Sequence, residues 1–282
     1  MLCFMKLKFT KMHGLGNDFV VIDGINQSVK LTPQQFARLA DRHFGVGCDQ
    51  ILLVEKSERS EVDFRYRIFN ADGGEVEQCG NGARCFARFV LKKKLTDKHQ
   101  IAVETQKGVI YLDVMNDNWV KVNMGVPVLT PADIPIAAEQ QALRYNLTVK
   151  SREVVFGAVS MGNPHAVLLV DDVQNAPVRE MGSVLEPHPF FPQKANIGFL
   201  QIENRNKGKL RVFERGVGET LACGTGACAA MVIGHLWGEF DDVVKLSLPG
   251  GDLQIEWQGE ATPVFMSGPA EFVYEGEIDF DD

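Results

Sequence analysis

Short apolar runs alternate with polar breaks along the whole chain, and most of the runs are strand-length. "FVVID" (19–23) and "QILLVE" (50–55) predict buried strands, and "VDFRYRIF" (62–69) alternates as a half-buried strand does. Between the first two, "TPQQFARLADRH" (32–43) predicts a helix capped by Thr32, with Pro33 in its first turn. Further on, Ala83, Phe86, Ala87, Val90 and Leu91 fall on one face of a second helix. Three more strands follow: "IAVET", "GVIYLDV" and "WVKVNM". The later part of the chain runs through the same order. "AVLLV" is a strand, "PVREMGSVLE" a helix, "NIGFLQIE" and "KLRVFE" strands, residues 225–237 a helix, and "VVKLSL", "LQIEW" and "TPVFMSG" strands.

The recurrence extends to residue identity. "FNADGGEVEQCGNGAR" (69–84) aligns without gaps on "FERGVGETLACGTGAC" (213–228). The identical pairs are Phe69/Phe213, Gly74/Gly218, Glu75/Glu219, Cys79/Cys223, Gly80/Gly224, Gly82/Gly226 and Ala83/Ala227. Arg67 and Arg211 stand at equal distances upstream. In a slightly shifted register Gly16–Asn17 meets Gly162–Asn163, and Gln50 meets Asn196. The chain therefore reads as two copies of one unit, each a sheet around a central helix. The Pro-bearing stretch 125–150 is the natural divide, giving one half over 1–125 and another over 126–269.

Composition changes this picture little. Of 282 residues, 45% are apolar and 23% charged, which suits two ordinary globular domains. The net charge of -8, with signs interspersed and no basic stripe, argues against a nucleic-acid partner. No apolar run approaches the roughly 18 residues of a membrane span. The opening "MLCFMKLKFTKM" reads as the approach to a first strand rather than a signal peptide, so the cytoplasm is the expected compartment. In that reducing setting the six cysteines are not needed as disulfide staples. Cys3, Cys48, Cys85 and Cys228 read as structural thiols, the last two on packed helix faces.

Cys79 and Cys223 differ from these because each stands at the start of a helix, in the repeated pattern Cys-Gly-x-Gly-Ala. Unpaired N–H groups and the positive end of the helix dipole gather there. Gly80, Asn81, Gly224 and Thr225 can present backbone N–H groups to a carboxylate. The same field should lower a thiol pKa from about 8.5 towards neutrality. Zinc fits poorly, since neither loop offers two closely spaced thiolates, and no metal or cofactor motif is evident. "GTGACA" formally matches a dinucleotide-binding pattern, with Asp241 as its acid, but the polar "GVGETLAC" stands where a strand should enter it. Two related halves facing across a cleft would set one thiol on each side of a bound carboxylate's α-carbon. One thiol would remove the α-proton and the other deliver a proton to the opposite face, inverting the centre.

"FTKMHGLGNDFVVID", "NADGGEVEQCGNGARC", "MGNPHAV" and "FERGVGETLACGTGACAA" together resemble the diaminopimelate epimerase family, in order and over essentially the whole chain. The resemblance implies an α/β (α+β) fold of two pseudo-symmetric domains. Each would be a barrel-like, mainly antiparallel sheet around a central helix, with the active site in the inter-domain cleft. It implies that the last strand, within 270–278, returns to the first half. It implies cofactor-independent (PLP-independent) interconversion of LL- and meso-2,6-diaminopimelate, a step towards lysine and peptidoglycan precursors. Cys79 and Cys223 become the acid–base pair, with the reacting carboxylate on the Gly80–Asn81 and Gly224–Thr225 amides. Asn17, Gln50, Asn70, Asn163, Asn196, Glu214 and Arg215 are the implied substrate ligands. Arg215 can grip a carboxylate and Glu214 an ammonium. His165, like Glu214, is implied to tune the thiols, as suits a group titrating near neutrality. A homodimer is the family expectation. A proline or hydroxyproline racemase is the competing two-thiol reading, but such substrates leave a Glu214–Arg215 pair without a task.

Overall fold

A computed structural model describes residues 5–76, 80–106, 108–115 and 118–280. Cys79 and Cys3 lie outside the described residues. The chain forms two compact units, Met1–Val122 with Gly268–Asp282, and Asn123–Ser267.

The first unit opens with an antiparallel pair, β1 (Met5–Gly14) and β2 (Asn17–Asp23). Helix α1 (Pro33–Ala40) crosses to β3 (Gln50–Glu55), which runs parallel to β2. β4 (Phe64–Asn70) returns antiparallel to β3, and the short β5 (Glu75–Val76) folds back on β4. After helix α2 (Gly80–Lys92), β6 (Gln100–Thr105) runs parallel to β4, and β7 (Gly108–Val114) and β8 (Trp119–Asn123) continue antiparallel. The C-terminal strand Glu271–Phe280 pairs antiparallel with β1.

The second unit repeats this wiring. β9 (Tyr145–Val149) leads into antiparallel β10 (Arg152–Ser160) and β11 (Pro164–Leu169). Helix α3 (Val178–Leu185) crosses to β12 (Asn196–Asn204), parallel to β11. β13 (Lys207–Glu214) and the short β14 (Gly218–Thr220) follow antiparallel. Helix α4 (Gly224–Leu236) then crosses to β15 (Val243–Leu248), parallel to β13, and β16 (Gly251–Glu256) and β17 (Phe265–Pro269) are antiparallel again. The expected class holds: mainly antiparallel sheets with few helices. In each unit the parallel joints occur only where a helix makes the crossover that parallel strands require.

The helices occupy two environments. α1 and α3 are amphipathic and cover one face of their sheets. Phe36, Leu39 and Ala40 of α1 pack on Val20, Ile22, Ile51, Leu53 and Phe69, with the Phe36 and Phe69 rings stacked 3.9 Å apart. Val178, Met181 and Leu185 of α3 pack on Ile197, Phe199 and Phe191. α1 starts as anticipated: the Thr32 hydroxyl accepts from the Gln35 N–H at 3.3 Å, and the Gln35 amide oxygen accepts from the Thr32 N–H at 2.9 Å. It ends at Ala40, short of the expected His43, because Asp41 turns extended and its carboxylate captures the N–H groups of His43 and Phe44.

α2 and α4 are the central helices. α2 packs against β1, β2, β3 and β7, and α4 against β10, β11, β12, β13 and β16, so each sheet curls around its own helix. Every residue of α4 from Gly226 to Gly234 is buried, which explains a sequence that is apolar all round. Cys85 and Cys228 are fully buried within these helices. Among the described residues no helix is long and apolar enough to cross a membrane. Phe89→Ala, which empties a fully buried site on α2, is expected to cost about 3–5 kcal/mol in chemical denaturation. Phe44→Ala, at a side chain 83% exposed, should stay within about 0.5 kcal/mol.

Candidate active site

In the first unit, Asn17 begins β2 directly after a tight turn in which Leu15 and Gly16 both have positive φ. Gln50 begins the neighbouring β3, Asn70 ends β4 and Asn81 lies in the first turn of α2. The fold therefore gathers them at one end of the sheet, beside the start of the central helix. The Asn81 side chain donates to the Asn17 Oδ1 at 3.2 Å, and the Gln50 side chain donates to the Asn70 Oδ1 at 2.9 Å. Gly80 is the first residue of α2. The next glycine in that turn, Gly82, has a packing reason: a Cβ there would stand 2.3 Å from the Tyr66 hydroxyl.

Asn17 is also held from behind by a charge network that the sequence reading missed. Its Nδ2 donates to Asp49 at 2.9 Å. Arg42 bridges Asp18 and Asp49 at 2.7 and 2.8 Å, and Lys11 pairs with Asp18 at 2.6 Å. Burial raises the Asp18 pKa, but the bonds and charges of Arg42 and Lys11 outweigh it and hold the carboxyl well below its usual range. Cys48, next to Asp49 in sequence, is buried and its thiol is pushed up to about 12, chiefly by desolvation. No local pattern marks this network, because its members come from three separate elements.

The second unit carries the related arrangement. Asn163 follows Gly162, again at positive φ, as Asn17 follows Gly16. Its side chain donates to the Thr225 hydroxyl at 3.4 Å, the counterpart of the Asn81–Asn17 contact. Asn196 begins β12; its Oδ1 accepts the Arg215 N–H at 2.9 Å and its Nδ2 donates to the Pro164 carbonyl at 3.1 Å. Glu186, at the end of α3, was not foreseen. Its buried carboxylate accepts the Gly216 N–H at 3.0 Å and pairs with Lys194 at 3.3 Å. With the Val217 N–H bonded to the Glu214 carbonyl, three successive amides of the Glu214–Val217 turn have fixed acceptors. Arg215 is exposed, and its Nη1 reaches the Gln193 carbonyl at 3.0 Å.

Cys223 is the N-cap of α4 and is only 4% exposed. Gly224 and Thr225 open the helix behind it, and the Thr225 hydroxyl lies 3.6 Å from the sulfur. A Cβ on Gly226 would come within 3.2 Å of that sulfur and 3.0 Å of Val212. The thiol departs from the sequence expectation. Its pKa is raised well above the usual value, first by burial and then by the charge of Glu214, against the smaller lowering effects of Thr225 and the Gly226 N–H. The helix end is present, but desolvation and an adjacent carboxylate outweigh it. Glu214 is itself held by the Thr220 hydroxyl at 2.5 Å.

His165 also differs from expectation. Full burial, reinforced by the Arg215 charge, pushes it from 6.5 to about 3, so it stays neutral where a free histidine titrates. Its Nε2 lies 2.9 Å from the Asn163 Oδ1 and donates to it. It therefore fixes which way the Asn163 amide faces. Among the described residues no cluster of three or more His, Cys, Asp or Glu side chains is arranged to hold a metal ion. Within each unit the structure brings the sequence-predicted residues together, apart from Cys79, which lies outside the described residues.

The architecture recurs in solved structures of low sequence identity. One is a phenazine biosynthesis protein of the PhzF family from Bacillus anthracis, with a TM-score of 0.70 at 18% identity, over 97% of this chain and 99% of that one. Another is a hydroxyproline epimerase from Agrobacterium vitis, with a TM-score of 0.71 at 14% identity, over 100% and 95%. These define the class, the duplicated fold of PhzF proteins and proline-type epimerases. Sequence similarity is far closer elsewhere. The family model described as diaminopimelate epimerase matches residues 9–130 and 157–273. A diaminopimelate epimerase of Nitrosomonas europaea is 60% identical over 98% of this chain and 100% of its own, and one of Nitrosospira multiformis is 58% identical over 98% and 99%. The chain belongs to the diaminopimelate epimerase family.

Two outcomes follow from the electrostatics. Glu214→Gln removes a charge that opposes the Cys223 thiolate, so the pH profile of Cys223 alkylation, followed by peptide mass spectrometry, should move to lower pH. His165 has a folded pKa below its unfolded one, so the stability it contributes is complete above about 6.5 and falls as the pH drops towards 3. Its ring resonances should show no titration between about pH 5 and 8, and His165→Gln should flatten the loss of stability below pH 6.5.

Proposed function

We propose that this protein interconverts LL- and meso-2,6-diaminopimelate without a cofactor, using Cys79 and Cys223 as an acid–base pair. The observation that carries the reading is the close similarity, over nearly the full chain, to proteins named diaminopimelate epimerase. It is supported by a buried cysteine at the head of the central helix, beside a carboxylate and a helix-end cradle. In the reaction one cysteine, as thiolate, takes the α-proton from one face. The carbon–hydrogen bond breaks, and its electrons spread into the substrate carboxylate. The other cysteine, as thiol, then gives its proton to the opposite face. Amides of Gly80–Asn81 and Gly224–Thr225 bind that carboxylate and stabilise the charge that grows on it. A thiolate formed in water would be too weak a base for an ordinary α-proton, so water exclusion belongs to the reading.

Glu214 gives the scheme a reason to wait for substrate. Its charge opposes thiolate formation at Cys223. A substrate ammonium pairing with Glu214 would cancel that opposition and ease deprotonation when the substrate is present. Asn17, Gln50, Asn70, Asn163 and Asn196 supply directional amides, and Arg215 a guanidinium for a carboxylate. His165 tunes the site indirectly, by orienting Asn163. The proposal extends to a cytoplasmic setting, where thiols stay reduced. A homodimer is proposed on the family resemblance alone.

The test is turnover of LL-diaminopimelate, with L-proline and trans-4-hydroxy-L-proline as comparison substrates. Epimerisation of LL-diaminopimelate should be lost, by about 1,000-fold or more, in both Cys79→Ala and Cys223→Ala. Turnover of a proline substrate in place of diaminopimelate, or undiminished activity in either variant, overturns the reading.

A further inference from the structure

One ion pair recurs at the same place in both copies of the repeat. Arg67 on β4 makes a two-pronged contact with Glu75 on β5, at 2.9 and 2.7 Å. Arg211 on β13 reaches Glu219 on β14 through Nε at 2.7 Å and Nη2 at 2.6 Å. The registers match as well, since Glu75 stands opposite Phe69 and Glu219 opposite Phe213. The acids precede Cys79 and Cys223 by the same spacing.

The clamped strands cannot hold their own course. Among the described residues β5 has two residues and β14 has three, too few to keep a register by backbone bonding alone. Each arginine, by contrast, belongs to a long strand of the sheet and has further anchors. Nη1 of Arg211 donates to the Val173 and Gln174 carbonyls at 2.9 and 3.0 Å, and Arg67 lies over the Phe69 ring at 4.9 Å. Not every charged group recurs. The Asp18–Arg42–Asp49 network has no counterpart in the second unit, where Pro164 and Ala195 stand at the positions of Asp18 and Asp49. In the second unit the residue after the clamped acid, Thr220, holds Glu214, the carboxylate that acts on Cys223.

We propose that Arg67–Glu75 and Arg211–Glu219 are paired positioning devices, each fixing the strand from which the chain leads, four residues after its acid, to one of the two cysteines. Neither pair touches substrate. The role rests on the reading that Cys79 and Cys223 exchange the α-proton, each from its own face.

The test uses Arg67→Lys, Glu75→Gln, Arg211→Lys and Glu219→Gln in the full chain, with wild-type circular dichroism as the condition for inclusion. Lysine keeps the charge and loses the two-pronged grip. Each variant should lower kcat for LL-diaminopimelate by about 10- to 100-fold while KM changes less than about threefold, as expected for a small displacement of a reacting group. α-Hydrogen exchange in heavy water, measured on LL and meso substrates separately, should be impaired for one isomer in the first-unit variants and for the other isomer in the second-unit variants. A structural role alone would not divide the isomers in this way. The proposal is overturned if kcat stays within about twofold while only the melting temperature falls, or if both sets of variants impair the same isomer. Iodoacetamide labelling gives a readout that does not require epimerisation. Arg211→Lys should change the labelling rate of Cys223, whereas Arg67→Lys should not. If that selectivity is seen but wild-type protein does not turn over diaminopimelate, the clamp stands and the proposed function falls. If the selectivity is absent in an active enzyme, the clamp falls alone.

Discussion

A helix that begins inside its own sheet has N–H groups which its own turns do not satisfy. α2 and α4 are buried helices of this kind, and the arrangement around them follows from that constraint. The glycines in their first turns leave room for the strand beneath, Tyr66 in one unit and Val212 in the other. Short polar side chains, Asn81 and Thr225, occupy the first turn and meet an asparagine that a positive-φ glycine has delivered from the neighbouring hairpin. A carboxylate is the natural complement of such a place, both for its charge and for the number of hydrogen bonds it can accept. The need to satisfy a buried helix end and the capacity to hold an anion are the same physical fact.

The two units share a frame and differ in its furnishing. Strand order, the alternation of parallel and antiparallel joints, the turn before the asparagine and the ion pair before the cysteine all recur. Other polar groups around them differ. Where the first unit has Asn70 paired with Gln50, the second has Glu214 near Cys223 and Asn196 bonded to the Arg215 amide. Where the first unit leans on a charged network behind Asn17, the second places neutral, buried His165 beside Asn163.

Part of the site was legible in the one-dimensional order of residues. The repeat exposed Cys79 and Cys223, and the glycine pattern set Cys223 at a helix start, where it lies. Asn17, Gln50, Asn163 and Asn196 could be singled out because each lies at a position the repeat relates to another. Glu186, Lys11, Arg42 and Asp49 could not, since they act through contacts between elements distant in sequence and lie in no recurring pattern. The end of α1 was misread for a similar reason. Propensity carries the helix on to His43, but the Asp41 carboxylate takes the next two amides instead.

By itself the sequence determined the duplication, the type of most of the longer elements, the two cysteine-glycine loops and, through its resemblance to known relatives, the family. These are matters of local pattern and identity, and periodicity or spacing expresses them directly. Tertiary structure decided the energetics of the groups so arranged. A helix start predicted an acidified Cys223, and the family resemblance a His165 titrating near neutrality, yet the fold withdrew both from water and set Glu214 against one and Arg215 towards the other. Ionisation depends on solvent access and on charges brought near from remote parts of the chain, and neither quantity exists until the chain has folded.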